Sequence, residues 1–212
     1  MVKILIADDH QLVREGMRRI LEEEEDFTIV GEAADGKEAL EIIEQSEVDV
    51  VLMDVAMPGL DGVEATRRLV KKKRPATRVV IVTMYADEHH AARLLRMGAL
   101  GYVVKDSAPS ELAEAIRTVH QGRRFVSESL REALALRFVD GPDREPMDSL
   151  TNREFQVLRR LAAGATHREI AEELSISAKT VDAHRLNLLA KLNLRNNAEL
   201  TNFAMQHGFI GA

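Results

Sequence analysis

Val50-Val51-Leu52-Met53-Asp54 and, earlier, Ile4-Leu5-Ile6-Ala7-Asp8-Asp9 are two short apolar runs that each end in acid. Apolar runs of this length, bounded by turn signals, read as buried parallel strands. Working outward, similar runs recur near 2–8, 27–33, 49–54, 78–83 and 100–104. Helix-period segments alternate with them near 10–23, 36–45, 61–72, 87–97 and 109–121. Five βα units predict an α/β fold, a flavodoxin-like, doubly wound, five-stranded parallel sheet. In that strand order the chain direction switches between strands 1 and 3, and ligands gather at the C-terminal rim there. Asp8, Asp9 and Asp54 end those two strands. Thr83 ends strand 4 and Lys105 follows strand 5, so five functional side chains are expected at one rim.

The composition bounds the rest. The chain has 212 residues, 45% of them hydrophobic, enough for a core in each of two small domains. It has no cysteine, which excludes disulfides and thiolate chemistry and suits a reducing cytoplasm. No charged N-terminal stretch leads into a signal-like apolar segment, and no apolar run reaches membrane length. A cytoplasmic protein with no membrane partner is expected. Net charge is −6, but it is uneven: residues 149–212 hold eight Lys/Arg against six Asp/Glu (+2), and the remainder hold 21 against 29 (−8). Different partners for the two parts follow.

Asp8 and Asp9 fit two roles on sequence alone. Aspartate is a good helix N-cap, and a helix begins directly after them. Asp54 precedes the turn Val55-Ala-Met-Pro58-Gly, so capping explains it poorly. A common explanation for all three is a hard divalent cation, Mg²⁺. Asp9 and Asp54 would bind it directly, with the backbone carbonyl of Ala56 and waters, and Asp8 would hold one of those waters. The acids sum to −3, balanced by the metal and Lys105. One carboxylate can then act as a nucleophile toward a phosphoryl group whose oxygens Mg²⁺, Lys105 and Thr83 hold.

Asp8-Asp9, Asp54 with Met57-Pro58 and Asp61-Gly62, Thr83 and Lys105 resemble the receiver domain of two-component response regulators. The resemblance covers residues 1–122. It implies that Asp54 takes a phosphoryl group from a histidine kinase, and that Thr83 and Tyr102 then switch conformation. The residue after the lysine is Asp106 where many receivers have proline, which is similar to receivers of the NarL/FixJ type. Tyr102 equally fits a half-buried strand aromatic with no switching role. The charge runs Glu22 to Glu25 and Lys71 to Arg74 read as solvated helix ends, the latter complementing the helix dipole.

A weaker helical stretch, Glu128 to Phe138, lies in a segment read as linker, 123–148, with a breaker at Asp140-Gly-Pro-Asp-Arg-Glu-Pro146. From Leu150 the pattern is all-helical. Thr151 and Glu154 form a capping box, and Gly164 ends the first helix. A short helix from Arg168 to Leu174, a turn at Ser175-Ile-Ser177 and a helix to Leu192 make a helix-turn-helix signature. On that last helix Val181, Leu188 and Leu192 should face the core. Lys179, Asp182, Ala183, Leu186 and Ala190 lie broadly opposite. Leu186 fits either a scattered surface leucine or a contact to a thymine methyl.

Leu150-Thr-x-Arg-Glu, Glu169-Ile-Ala, Ile176-Ser, Thr180-Val181-x-x-His184, Lys191-Leu192 and Ala198-Glu-Leu200 resemble the LuxR-type DNA-binding domain, here 149–212. The resemblance implies a four-helix, all-α module whose helix 177–192 enters the major groove of double-stranded DNA. It also implies that a fourth helix, about 196–206, pairs two modules. The expected DNA contacts are Ser177, Lys179, Thr180, Asp182, Ala183, His184, Arg185, Leu186 and Lys191, with Arg195 a further phosphate contact. Arg185 has an alternative, pairing with Glu172 or Glu173. Asp182 stands where lysine is common in the family; it would repel phosphate but can accept from cytosine. The expected whole is a transcription regulator, not a metabolic enzyme, that dimerises when phosphorylated, with helices 1 and 5 of the receiver as a second dimer surface. Two rivals stay open: a regulator with a vestigial acidic site, and an aspartate-nucleophile phosphatase. The latter typically needs an acid where Ala56 stands.

Overall fold

The computed structural model describes residues 1–72, 77–84, 86–107, 109–140 and 150–206. The linker breaker after Asp140 and the end of the basic run at Lys73-Arg74 fall outside them. The chain divides into two compact units, Met1–Gly141 and Pro142–Ala212.

In the first unit, β1 (Val2–Ala7), α1 (Gln11–Glu22), β2 (Phe27–Ala33), α2 (Gly36–Gln45), β3 (Val50–Asp54) and α3 (Gly62–Lys71) alternate. They continue as β4 (Arg78–Thr83), α4 (Glu88–Met97), β5 (Gly101–Val104) and α5 (Pro109–His120). Two further elements follow, β6 (Phe125–Val126) and α6 (Glu128–Asp140). All strand pairs are parallel, in the order β2-β1-β3-β4-β5-β6. The sheet therefore has six strands, one more than the sequence reading allowed. The extra strand is two residues long, too short to register as an apolar run. The expected linker segment is thus part of the first unit as far as Asp140.

Strand residues alternate between two cores, as the pleat requires. Ile4, Ile6, Val50, Leu52, Val80 and Val82 pack on Met17 and Leu21 of α1 and on Leu112, Ile116 and Val119 of α5. Leu5, Val51, Met53, Val79, Ile81 and Tyr102 face the other way, onto α2, α3, α4 and α6. Leu130 and Leu134, one helical turn apart on α6, join that second core, and α6 packs on α4. Both sheet faces are covered, which explains why the strands read as unbroken apolar runs rather than alternating ones.

The second unit contains α7 (Asn152–Ala162), α8 (His167–Glu173), α9 (Ala178–Lys191) and α10 (Asn197–Gln206). Local chemistry sets nearly every boundary. Thr151 with Glu154, and Thr166 with Glu169, close capping boxes on α7 and α8. Gly164, at φ +87, turns the chain after α7. Ser177 caps α9 by accepting from the Thr180 N–H at 3.0 Å. Val157, Leu158, Ile170, Val181, Leu188, Leu192 and Leu200 form one small core among the four helices.

Candidate functional site

The C-terminal rim of the sheet collects Asp8, Asp54, Thr83 and Lys105, as the strand reading requires. β1 and β3 are neighbours, and the connection order reverses between them. Asp8 and Asp54 are 0% and 3% exposed. Lys105 reaches between them, with Nζ 2.5 Å from Asp8 Oδ2 and 3.1 Å from Asp54 Oδ1. Its backbone N–H donates to the Thr83 carbonyl at 2.7 Å, so β4 fixes where the lysine starts. Asp54 Oδ2 accepts from the Ala56 N–H at 3.1 Å. Gly62 lets the loop after Asp54 return close to the strand: a Cβ there would sit 1.9 Å from the Asp54 carbonyl oxygen. That close approach gives Asp61-Gly62 a structural reason, with Asp61 also capping α3.

Burial pushes the Asp54 carboxyl pKa up; Lys105 opposes this and Asp8 adds to it, and the net direction is upward. Burial also disfavours the Lys105 ammonium, but Asp54 and Asp8 outweigh it and hold its pKa above the usual value. The two directions are compatible because one cation is divided between two carboxylates. The rim is short of positive charge.

Asp8 and Asp9 do not cap α1. Its N-cap is His10, with no side-chain cap bond. Asp8 Oδ1 instead accepts from the His10 N–H at 2.9 Å. This removes the simplest alternative to a binding role. Asp9 is part-exposed, and its Oδ1 lies 2.8 Å from His10 Nδ1 but has no hydrogen-bond partner by geometry among the described residues. Ligating atoms of Asp8, Asp9 and His10 lie within 4.8 Å of one another. His10 was not foreseen, although its position directly after the two acids was a signal. Asp54 is not in that cluster; it turns to Lys105 and Ala56.

Thr83 and Tyr102 lie on the same sheet face, since Ile81 pairs with Tyr102 and Thr83 with Val104. Both are buried, Tyr102 completely. The half-buried aromatic allowed by the sequence is thus a core residue. Its hydroxyl lies 3.5 Å from His90 Nδ1 on α4, and the two rings meet edge to face.

In the second unit the helix wheel holds. Val181, Leu188 and Leu192 are buried, while Leu186 is 55% exposed. Leu189 is buried too, so the core face is wider than predicted. Ser177, Lys179 and Ala183 are exposed, and Thr180, Asp182 and His184 are half-buried. Burial lowers the His184 pKa, favouring neutral imidazole. The expected cations differ in freedom. Lys179 has no ion-pair partner among the described residues. Arg185 does not pair with Glu172 or Glu173, because Arg168 and Arg160 take those. It donates to Asn197 Oδ1 on α10 at 2.6 Å and lies 3.6 Å from Asp182. Arg195 pairs with Glu199 one turn on. Lys191 donates to Glu154 Oε2 at 2.6 Å.

Known proteins share both halves. The family described as the response regulator receiver domain matches residues 4–117, and the bacterial regulatory proteins of the luxR family match 148–204. Response regulator UvrY of Escherichia coli is 38% identical across all of this chain and 97% of its own length. The oxygen regulatory protein NreC of Staphylococcus carnosus is 39% identical, covering 97% of each chain. RcsB of Salmonella enterica serovar Typhimurium, solved bound to the promoter rprA with the phosphomimetic BeF3⁻, aligns over 97% of this chain with a TM-score of 0.62 at 27% identity. The chain belongs to the response regulators of the NarL/FixJ type. It joins a receiver domain to a LuxR-type DNA-binding domain, and it regulates transcription. No described helix is long and apolar enough to cross a membrane.

Proposed function

We propose that Asp54 is the phospho-acceptor, that a histidine kinase is the donor, and that the product controls binding to double-stranded DNA. The observation that carries this reading is Lys105 bridging two buried acids at the sheet's switch point. An Asp54 carboxylate oxygen attacks phosphorus, forming an acyl phosphate as the phosphorus–nitrogen bond of the donor phosphohistidine breaks. A donor phosphohistidine protonated on its other ring nitrogen leaves as neutral imidazole, so the carboxylate has no proton to supply. Lys105 and the Thr83 hydroxyl stabilise the oxygens of the transferred group. Asp8, Asp9, Asp54 and the Ala56 carbonyl would hold Mg²⁺, and an oxygen donor set short of positive charge fits that cation. When bound, Mg²⁺ supplies charge neutralisation between acceptor and donor. Thr83 moving toward the phosphoryl group would free space beside Tyr102.

On the DNA side, Ser177, Lys179, Thr180, Asp182, Ala183, His184 and Leu186 of α9 are the proposed groove contacts. Arg185, Lys191 and Arg195 would have to leave protein partners first. Pairing through α10, and through α1 and α5 of the receiver, would give a dimer suited to a two-fold site. A cytoplasmic location follows from that partner.

Incubation of the full chain with a small-molecule phosphodonor and Mg²⁺, read by intact mass, tests the core of this. Wild type should gain one phosphate; Asp54→Asn and chelated wild type should gain none. Equal gain in Asp54→Asn would reject the assignment.

A further inference from the structure

The main chain at Asp8 is held from every side. Its N–H donates to the Ala33 carbonyl at the end of β2, at 3.0 Å. Its carbonyl accepts from Nη1 of Arg14 on α1 at 2.6 Å. The Arg14 side chain is 16% exposed and is itself fixed, since Nε donates to Glu32 Oε2 on β2 at 3.0 Å. Arg18 shares Glu32, with Nε 2.8 Å from Oε1, but its other contact is Glu22, not the acidic rim.

We infer that Arg14 is the positioning residue of the Asp8–Asp9 pair, setting its affinity for the divalent cation. This rests on the Mg²⁺ reading above. The Asp8 carbonyl lies in the planar peptide that joins the two residues' Cα atoms. Fixing that carbonyl fixes the plane, and with it the relative aim of two neighbouring carboxylates that repel each other. The planar guanidinium suits the task because it donates to Asp8 and Glu32 at once, in a fixed fork. Glu32 and Glu22 together balance Arg14 and Arg18, so Arg14 orients the site without adding an uncompensated cation beside it. The Glu32 pKa is lowered first by Arg18, then by Arg14, consistent with a carboxylate that stays charged. Outer partners of metal ligands commonly control affinity by about 10- to 100-fold.

The test is calorimetric titration of the full chain with Mg²⁺ alone. Arg14→Ala should raise the Mg²⁺ Kd by about tenfold or more. Arg14→Lys keeps the charge and stem but cannot serve both partners, so it should raise the Kd by less, and it keeps the question open to measurement if the alanine variant folds poorly. Arg18→Ala loses a Glu32 contact without touching Asp8 and should bind Mg²⁺ like wild type. An unchanged Kd in both Arg14 variants, or equal weakening in Arg18→Ala, overturns the inference. Wild type that binds no Mg²⁺ would overturn the metal reading itself and this inference with it.

Discussion

Asp54 in the receiver and Glu154 in the DNA-binding module are both almost wholly buried carboxylates, 3% and 2% exposed, each with a lysine beside it. They titrate in opposite directions. At Asp54 burial wins, because Lys105 is shared with Asp8. At Glu154 burial also pushes the pKa up, but Lys191, the Thr151 N–H and the Thr151 hydroxyl together bring it below the usual range. Lys191 and the Thr151 N–H each lie 2.6 Å from Oε2. One carboxylate is undersupplied with positive charge, sharing its lysine with Asp8, and one has a lysine to itself. Undersupply suits a site that must accept a cation and a phosphoryl group. A lysine of its own suits a clamp between α7 and α9.

Removing Lys105 should expose that difference most strongly. Lys105→Met leaves Asp8 and Asp54 buried with no cation between them. Breaking a buried pair in this way costs about 3–5 kcal/mol. Chemical denaturation of the full chain should show the receiver transition moving to lower denaturant. Mg²⁺ should recover more stability in the variant than in wild type, since the variant is shorter of positive charge. A Lys105→Met protein as stable as wild type in chelator would mean the rim acids are already neutral.

Glu154→Gln attacks the other carboxylate. It removes a charged acceptor of the Lys191 and Thr151 bonds, and bonds to charged groups contribute about 1.5–3 kcal/mol. Lys191 is one-third exposed, so the low end of that range is expected. The pH sign follows from a folded pKa held down. The stabilisation is fully present above the unfolded carboxylate value and is lost as pH falls through the folded one. The gap between wild type and Glu154→Gln should therefore close in acid. A constant gap from neutral to strongly acidic pH would show that the glutamate's charge contributes nothing.

The two carboxylates also differ in how legible they were. Asp54 and its rim could be read from sequence because each residue ends an apolar run, and a parallel sheet brings such ends together. The Thr151–Glu154 capping box was legible because it spans one helical turn. The Glu154–Lys191 clamp was not, since its partners lie 37 residues apart on different helices. The sequence offers Lys191 only as a phosphate contact and says nothing of its bond to Glu154. Arg14, Glu32 and the Asp8 carbonyl were missed for the same reason. α6 was legible as a helix, but its membership of the receiver depended on Leu130 and Leu134 meeting α4, and two leucines one turn apart do not name their partner. The Asp8–Asp9 capping reading fails because α1 starts later, with His10 at the N-cap, and Asp8 accepts from the His10 N–H rather than from a first-turn amide.

Asp54→Asn should raise stability at neutral pH. An acid whose folded pKa is raised costs stability as pH climbs from about 3.9, the unfolded value, through the folded value. The amide carries no such cost and leaves Lys105 to Asp8 alone. Single stabilising substitutions are commonly worth about 0.5–2 kcal/mol. The midpoint of the receiver transition should rise by a few degrees at pH 7, and the advantage should vanish below the unfolded carboxylate value. An Asp54→Asn protein less stable than wild type at pH 7 would put Asp54 in the same satisfied class as Glu154.

The smallest effect should separate two lysines on one helix. Lys179 is exposed in the first turn of α9, with no ion-pair partner among the described residues. Lys191, in the last turn, is committed to Glu154. Each phosphate contact steepens the fall of log K with log [salt] by about 0.9. Lys179→Ala should therefore lower the slope by about one and weaken binding to every sequence alike. Lys191→Gln keeps a donor for Glu154 while losing the charge, and should leave the slope as in wild type. Salt titrations of the full chain on one fixed duplex, selected beforehand from a random pool, read both slopes. Equal reductions would mean that DNA phosphate draws Lys191 away from Glu154. The buried carboxylate would then be left without its cation in the complex, shorter of positive charge than Asp54, which shares Lys105 with Asp8 in the free protein.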